Sequence, residues 1–320
     1  MRTIILATGL FAAVAGTALA QGYYPGAAPA PVGGYAAPAR AGAEEPQRNS
    51  LNDMISPVSS PTVNEDPRNT TEIRPMFIYH RIPSDFLLGS GSLQVAAVQL
   101  RAALTDRFSL IATKDGRIWI NPSGGSELDG WANLAVGIKG SLLQREDWAA
   151  IVSAGLRYEI ASGNREVFQG YGKGAINPFI SAAKGFGDFH MQLYTGPRLA
   201  ITDTDSSFYD TNLHLDYKLP YGIYPLVEMN WLRILQGGTR FPFDQEASEL
   251  VNLGSSNSTG NVATIAFGLR YRAFEWLDFG AVGEFPVTDR KDIFDWRVTW
   301  DIIIRPFGFR VPPWPWIRSA

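Results

Sequence analysis

From Thr71 onward, apolar and polar residues alternate. The clearest run sets Trp148, Ala150, Val152, Ala154, Leu156, Tyr158 and Ile160 against Ala149, Ile151, Ser153, Gly155, Arg157 and Glu159. Successive strand side chains point to opposite faces, so this run predicts a strand with one apolar and one more polar face. The split recurs at 130 to 142, where Ala132, Leu134, Val136 and Ile138 oppose Asn133, Ala135, Gly137 and Lys139. It recurs again where Trp296, Val298, Trp300 and Ile302 oppose Asp295, Arg297, Thr299 and Asp301. Twelve segments follow the pattern, near 72 to 82, 92 to 104, 106 to 120, 130 to 142, 147 to 162, 173 to 184, 188 to 202, 208 to 219, 222 to 236, 261 to 273, 276 to 288 and 292 to 308. The second also reads at helical spacing through Leu93, Ala97, Leu100 and Leu104, and is assigned as strand.

Connections after even-numbered segments are short, as at Gly185-Phe186-Gly187 and Phe274-Glu275, and most of those after odd ones are long, up to 237 to 260. One rim then carries tight turns and the other carries loops, as in outer-membrane barrels. A soluble β-sandwich has the same binary code, but its strands average roughly 5 to 6 residues, whereas a bilayer-crossing strand needs roughly 9 to 11. The segments here reach the longer range. Charges on the apolar faces, such as Lys184 and Arg233, fall near segment ends, as do Trp131, Trp148, Tyr158, Trp231, Tyr271 and Trp276. Interfacial aromatics of that kind form girdles. The expected fold is all-β: an antiparallel up-and-down transmembrane β-barrel of about 12 strands at 72 to 309, preceded by a disordered linker. Pro178, Pro197, Pro225, Pro286 and Pro306 remove ladder donors, so some strands are expected to be shorter or bulged.

Upstream, Arg2, the apolar stretch Ile4 to Ala15 and Ala18-Leu19-Ala20 predict a signal peptide over 1 to 20, with Sec-type export and cleavage near Ala20. Residues 21 to 47 are rich in Ala, Pro and Gly and read as a flexible linker, and 48 to 71 as a polar tether or plug. The tail, 310 to 320, is rich in Pro and Trp, and Phe309 stands where such barrels commonly end on an aromatic. Together these segments place the chain in a bacterial outer membrane, with lipid around it and a periplasmic partner reachable through linker or tail. A net charge of -3 without a basic cluster excludes the usual nucleic-acid footprint. With no cysteine in the chain, thiol nucleophiles, disulfides and thiolate-held metals are excluded.

Alternation assigns the polar face to the lumen. The residues expected to line it are Lys139, Arg157, Glu159, Arg198, Asp216, Glu228, Arg270, Arg272, Glu284, Asp295, Arg297 and Asp301. Their signs nearly cancel, which predicts weak charge preference in any pore, and the alternative is that they pair with one another and fill the interior. No catalytic residue, metal or cofactor is expected. His214 and Asp216 on one strand face read as a lumen pair, and neither His190 nor His214 is followed by the serine a barrel lipid hydrolase would need. The run Asp203, Asp205, Asp210 lacks the glycine and terminal Glu of a calcium loop.

The segment Gly155-Leu156-Arg157-Tyr158-Glu159-Ile160-Ala161-Ser162-Gly163-Asn164, then Asn177-Pro178 and the turn Lys184-Gly185-Phe186-Gly187-Asp188, resembles the outer-membrane barrel family linked to the phenol meta-degradation pathway, within a broad group of envelope transporters. The resemblance implies an outer-membrane barrel of undefined cargo, with hydrophobic solutes as candidates. The expected function is passive movement of small solutes. A closed barrel with a structural or interaction role is the alternative, and a lipid hydrolase a third.

Overall fold

The computed structural model describes residues 50–87 and 89–306. The expected signal peptide, the expected linker and the C-terminal tail with Phe309 lie outside the described residues. After a single helical turn, α1 (Ser50–Asp53), come β1 (Glu72–Ile82), β2 (Gly91–Ala103), β3 (Phe108–Lys114), β4 (Arg117–Pro122), β5 (Leu128–Trp131), β6 (Leu134–Arg145) and β7 (Ala150–Ile160). The remainder are β8 (Ala175–Phe186), β9 (Phe189–Ala200), β10 (Ser207–Tyr217), β11 (Ile223–Gln236), β12 (Gly260–Phe274), β13 (Leu277–Pro286) and β14 (Trp296–Ile304).

Every pairing between these strands is antiparallel, and β1 closes the sheet by pairing with both β2 and β14, from Ile73 opposite Ile304 to Arg81 opposite Trp296. Both β3 and β4 lie against β2, while β6 pairs with β3 and β5 with β4. Two staves are therefore each broken once, and the wall is a closed barrel of twelve staves. The breaks lie side by side, tied by a hydrogen bond from the Ala132 amide to the Gly116 carbonyl at 2.9 Å. Gly116 turns the chain at φ 98°, where an added Cβ would come within 2.2 Å of the Ala96 carbonyl oxygen, so only glycine fits. The segment at 92 to 104 is a strand, β2, as assigned from its pattern.

The barrel is inside out. Ile138 is 58% exposed while the adjacent Lys139 is 1% exposed, and Phe267 faces out beside a fully buried Arg270. Such a surface suits acyl chains, and along it Phe77 stacks on Trp300 and Tyr79 packs tilted against Trp296. The connections alternate as expected: those at 104–107, 146–149, 187–188, 218–222 and 275–276 are short, and those at 161–174 and 237–259 are long. The 287–295 connection also belongs to the long rim, because β13 ends at Pro286 and β14 begins only at Trp296.

The prolines fall where the ladder is open. Between Ile176 opposite Leu199 and Ile180 opposite Thr195 the β8–β9 ladder has no pairs, and Pro178 and Pro197 occupy this gap. Asn177 Nδ2 donates to the Pro197 carbonyl there at 2.7 Å. Pro225 lies one residue beyond the last β10–β11 pair, Asp216 with Leu226.

Candidate functional site

The lumen is occupied. Residues 51–68 run inside the barrel, and Met54, Ile55, Val58 and Ser59 have no exposure. Their backbone, broken by Pro57, Pro61 and Pro67, forms no strand, so its polar groups need partners from elsewhere. The wall supplies them. Arg272 donates to the Met54 carbonyl at 2.8 Å, Gln192 to Ile55 at 2.5 Å, Arg270 to Ser56 at 3.1 Å and Arg74 to Pro57 at 2.6 Å. Further along, Gln99 donates to Pro61 at 2.7 Å, Arg157 to Thr62 and Val63 at 2.6 and 2.7 Å, and Ser153 to Pro67 at 2.6 Å. Glu228 does the reverse, accepting the Val58 and Ser59 amides at 2.8 and 2.5 Å.

Charge pairing fixes the register. Glu65 bonds Arg101 at 2.8 and 3.0 Å and Lys139 at 2.9 Å, and Asp53 pairs with Lys218 at 2.5 Å. Apolar side chains drop into gaps in the wall: Ile55 and Val58 pack with Tyr224, Leu226, Ala266 and Val282, and Val63 with Ile111, Phe179 and Tyr194.

The long-loop end is filled differently. Most inward positions of β1, β2 and β4 are apolar here, His80 excepted, and Ile78, Leu93, Val95, Ile118 and Ile120 form one cluster with Ala247, Leu250, Val251 and Leu253 of the 237–259 connection. Glu249 of that connection pairs with Arg297 at 2.6 Å, and Gln169 donates to the Leu250 carbonyl at 3.1 Å. What remains open inside is small. One cavity of about 30 Å³ is lined by Ser60, Asn212, Asn230 and Glu284, and another of about 30 Å³ by Lys114, Glu159, Arg198 and Asp205. Each has room for a water, not a solute. A larger cavity, ≈ 700 Å³, borders Pro75, Val98, Trp131 and Leu134, where the two broken staves meet.

Most of the residues expected to line the lumen face inward and are paired. Arg297 bonds Glu284 at 2.7 and 2.9 Å, Arg198 bonds Asp210 at 2.6 Å, and Glu159 bonds Lys114 at 2.7 Å. Asp301 takes both Arg270, at 2.8 and 2.9 Å, and Arg74, at 2.7 Å. Half-buried Arg272 bonds plug carbonyls and pairs with Asp278 at 3.3 Å. Asp295 is the correction. It is exposed in the 287–295 connection, where its amide bonds the Arg81 carbonyl, because alternation carries no information once the chain leaves the strand.

Arg74, Gln99, Arg101 and Gln192 were not in the expected set, although strand parity alone would have turned them inward. Asp205 and Asp210 pair with separate arginines, Arg240 and Arg198, so the acidic run at 203–210 does not converge. His80 bonds the Ile293 carbonyl at 2.9 Å, whereas His190 and His214 bond carboxylates. Among the described residues no group of His, Asp and Glu could hold a metal ion.

One acid on the long rim titrates unusually. Burial pushes the Asp292 carboxyl from its ordinary 3.8 up to about 6, against the pull of Arg290, whose Nε lies 3.0 Å away. A raised value means that the folded form holds the proton more tightly. The stability it contributes is full below about pH 4 and is lost as pH rises through about 6. Asp292→Asn is expected to raise the unfolding temperature at pH 7.5, by a stabilisation of about 1–2 kcal/mol, and to leave it unchanged at pH 4. Heat-modifiable gel mobility at the two pH values checks this.

No protein-family profile matches the chain, and no curated protein matches it in sequence. Solved structures do match in fold. An outer membrane channel from Pseudomonas putida F1 superposes with a TM-score of 0.53 at 12% identity, over 75% of this chain and 97% of that one. The NanC porin gives 0.45 at 10% identity, over 74% and 98% of the two chains. The translocator domain of the autotransporter NalP from Neisseria meningitidis gives 0.44 at 11%, over 74% and 88%. The first likeness bears out, at the level of fold, the barrel resemblance carried by residues 155 to 188: this chain has the closed β-barrel fold of an outer membrane channel.

Proposed function

We propose that the protein is an outer-membrane barrel acting as a gated passage for small solutes, closed at rest by its own residues 51–68 and by the 237–259 connection. The observation that carries this reading is how the lumen's ionic side chains spend their hydrogen bonds. Arg74, Arg101, Lys139, Arg157, Arg270 and Arg272 hold either plug carbonyls or plug carboxylates, so these six cations face the plug and not a water column. The plug is held by side chains and stands outside the backbone ladder, so it can be withdrawn without breaking the wall. The signal segment, the lipid-suited outer face and the short-turn and long-loop rims support export to a bacterial outer membrane. The apolar inner wall under Leu250 and Val251 favours solutes of low charge.

A second reading, a permanently closed barrel with a structural role, draws on the same pairing of ions. Recordings of the full-length mature protein in planar bilayers separate the two. Gating predicts long closed periods broken by brief openings, and a permanently closed barrel predicts none. A steadily open wide pore sinks both. Sedimentation of the protein with inner membranes or cytosol would remove the proposed location.

A further inference from the structure

Four side chains with no exposure form a hydrogen-bonded line across three neighbouring staves, and the line ends on the plug. His190 Nδ1 lies 2.6 Å from Asp216 Oδ1, Asp216 Oδ2 lies 3.0 Å from His214 Nε2, and His214 Nδ1 lies 2.6 Å from Glu228 Oε1. Strand register builds it, because His190 is directly opposite Asp216 across β9–β10 and His214 directly opposite Glu228 across β10–β11. Glu228 then receives the Val58 and Ser59 amides, one on each oxygen.

An ionised carboxylate only accepts hydrogen bonds. His214 touches a carboxylate oxygen at each ring nitrogen, so with both acids ionised both nitrogens carry hydrogen and the ring is an imidazolium. If that proton leaves, a lone pair faces Glu228 or Asp216 at bonding distance, and two carboxylates are left around a neutral ring in a site closed to bulk solvent. Asp216 is still held by His190, so relief falls to Glu228, which swings off the line that aims it at the plug amides.

The surrounding charges are committed elsewhere. Arg270 on β12 bonds Ser56 and Asp301, Lys218 after β10 pairs with Asp53, and Glu284 on β13 pairs with Arg297. Arg272 pairs with Asp278. Tyr224 on β11 packs against Ile55 and Val58, and Gln192 on β9 is neutral.

We propose that His190, Asp216, His214 and Glu228 are a proton-dependent latch: the His214 imidazolium holds Glu228 against the plug, and its deprotonation frees the plug. The proposal rests on the reading of residues 51–68 as the closing element. The chain has no cysteine, so a spin label at Asn52→Cys, an exposed position of α1, reports the plug alone. In reconstituted vesicles the label should be immobilised near pH 6 and gain about fivefold in its mobile fraction, reversibly, as pH rises toward 10. Asp216→Asn removes an anion that favours the imidazolium and should move the midpoint to lower pH. His214→Asn should be mobile throughout, with no step.

A step that survives unchanged in both variants overturns the latch, and so does a label that stays immobile at every pH. The closing role is judged separately, by whether the barrel without residues 48–71 conducts more than the intact one. Heat-modifiable mobility shows that each variant has folded. If His214→Asn does not fold, the midpoint shift in Asp216→Asn decides.

Discussion

Removing residues 48–71, so that the upstream chain joins Glu72 directly, is expected to raise single-channel conductance by about tenfold or more. Barrels of about eight strands are filled by their own side chains, and those of 16 to 18 leave a water channel. Twelve staves lie between, and here the difference is made up by residues 51–68 together with the 237–259 connection. The deletion should also change selectivity. It takes away Glu65, which neutralises Arg101 and Lys139, and Asp53, which neutralises Lys218, and it frees Arg157 from the Thr62 and Val63 carbonyls. The opened lumen then presents cations to water along one wall, and a ring or stripe of one sign selects the opposite ion. The near-balance of signs read from sequence applies to the closed state. The opened one should prefer anions. Reversal potentials under a salt gradient measure this, and a cation-preferring or unchanged pore would show that the plug does not mask the wall. Opening should remain partial, because the 237–259 connection still covers the apolar mouth.

The barrel was legible because most staves keep one parity from end to end. In β7, Trp148 to Ile160 predicted an outer face, and Arg157 and Ser153 are buried opposite it. Parity failed where the backbone slips. In the stave made of β3 and β4 the inward residues are Ser109 and Ile111, then Lys114, Ile118 and Ile120, so the pattern changes phase at the irregularity between Ala112 and Lys114, at the start of the polar run Thr113 to Arg117. The β2 segment looked half-helical for another reason. Its inward face is apolar at Leu93 and Val95, under the mouth connection, and polar at Gln99 and Arg101, against the plug, so neither face is uniform.

The plug itself was read only as tether or plug, and its contacts explain why nothing finer could be read. The wall holds it mainly through carbonyl oxygens, which every residue has. What sequence could have offered was the wall side, where Arg74, Gln99, Arg101 and Gln192 are polar at inward positions and have donors to spare for a segment inside the barrel. The His214–Asp216 pair was legible from its spacing, but Glu228 and His190 join it only through cross-strand register.

Replacing Asp301 with alanine is expected to lower the temperature of barrel unfolding more than any exposed charge substitution. Asp301 is the shared anion of Arg74 and Arg270, and all three side chains are at most 1% exposed. The site is cut to fit: Gly280 lies opposite on β13, where an added Cβ would fall 2.5 Å from Asp301 Oδ1. Removing one partner from a buried ionic group leaves uncompensated charge and costs about 3–5 kcal/mol. Here two guanidinium groups are stranded together, each with only a plug carbonyl, Pro57 or Ser56, left to bond. By contrast Asp129, whose pair with Arg117 is open to solvent on both sides, should be replaceable by alanine without measurable loss. The comparison becomes sharper in the barrel lacking 48–71. With the lumen flooded, both arginines gain water and the same Asp301→Ala change should cost only about 0–1 kcal/mol. The two modifications are therefore expected to be strongly non-additive, and a thermal series of heat-modifiable mobility on the four proteins measures the coupling. Full additivity would mean that the Asp301 cluster stays dry without the plug, and that the segment inside the barrel does not keep water out of the lumen.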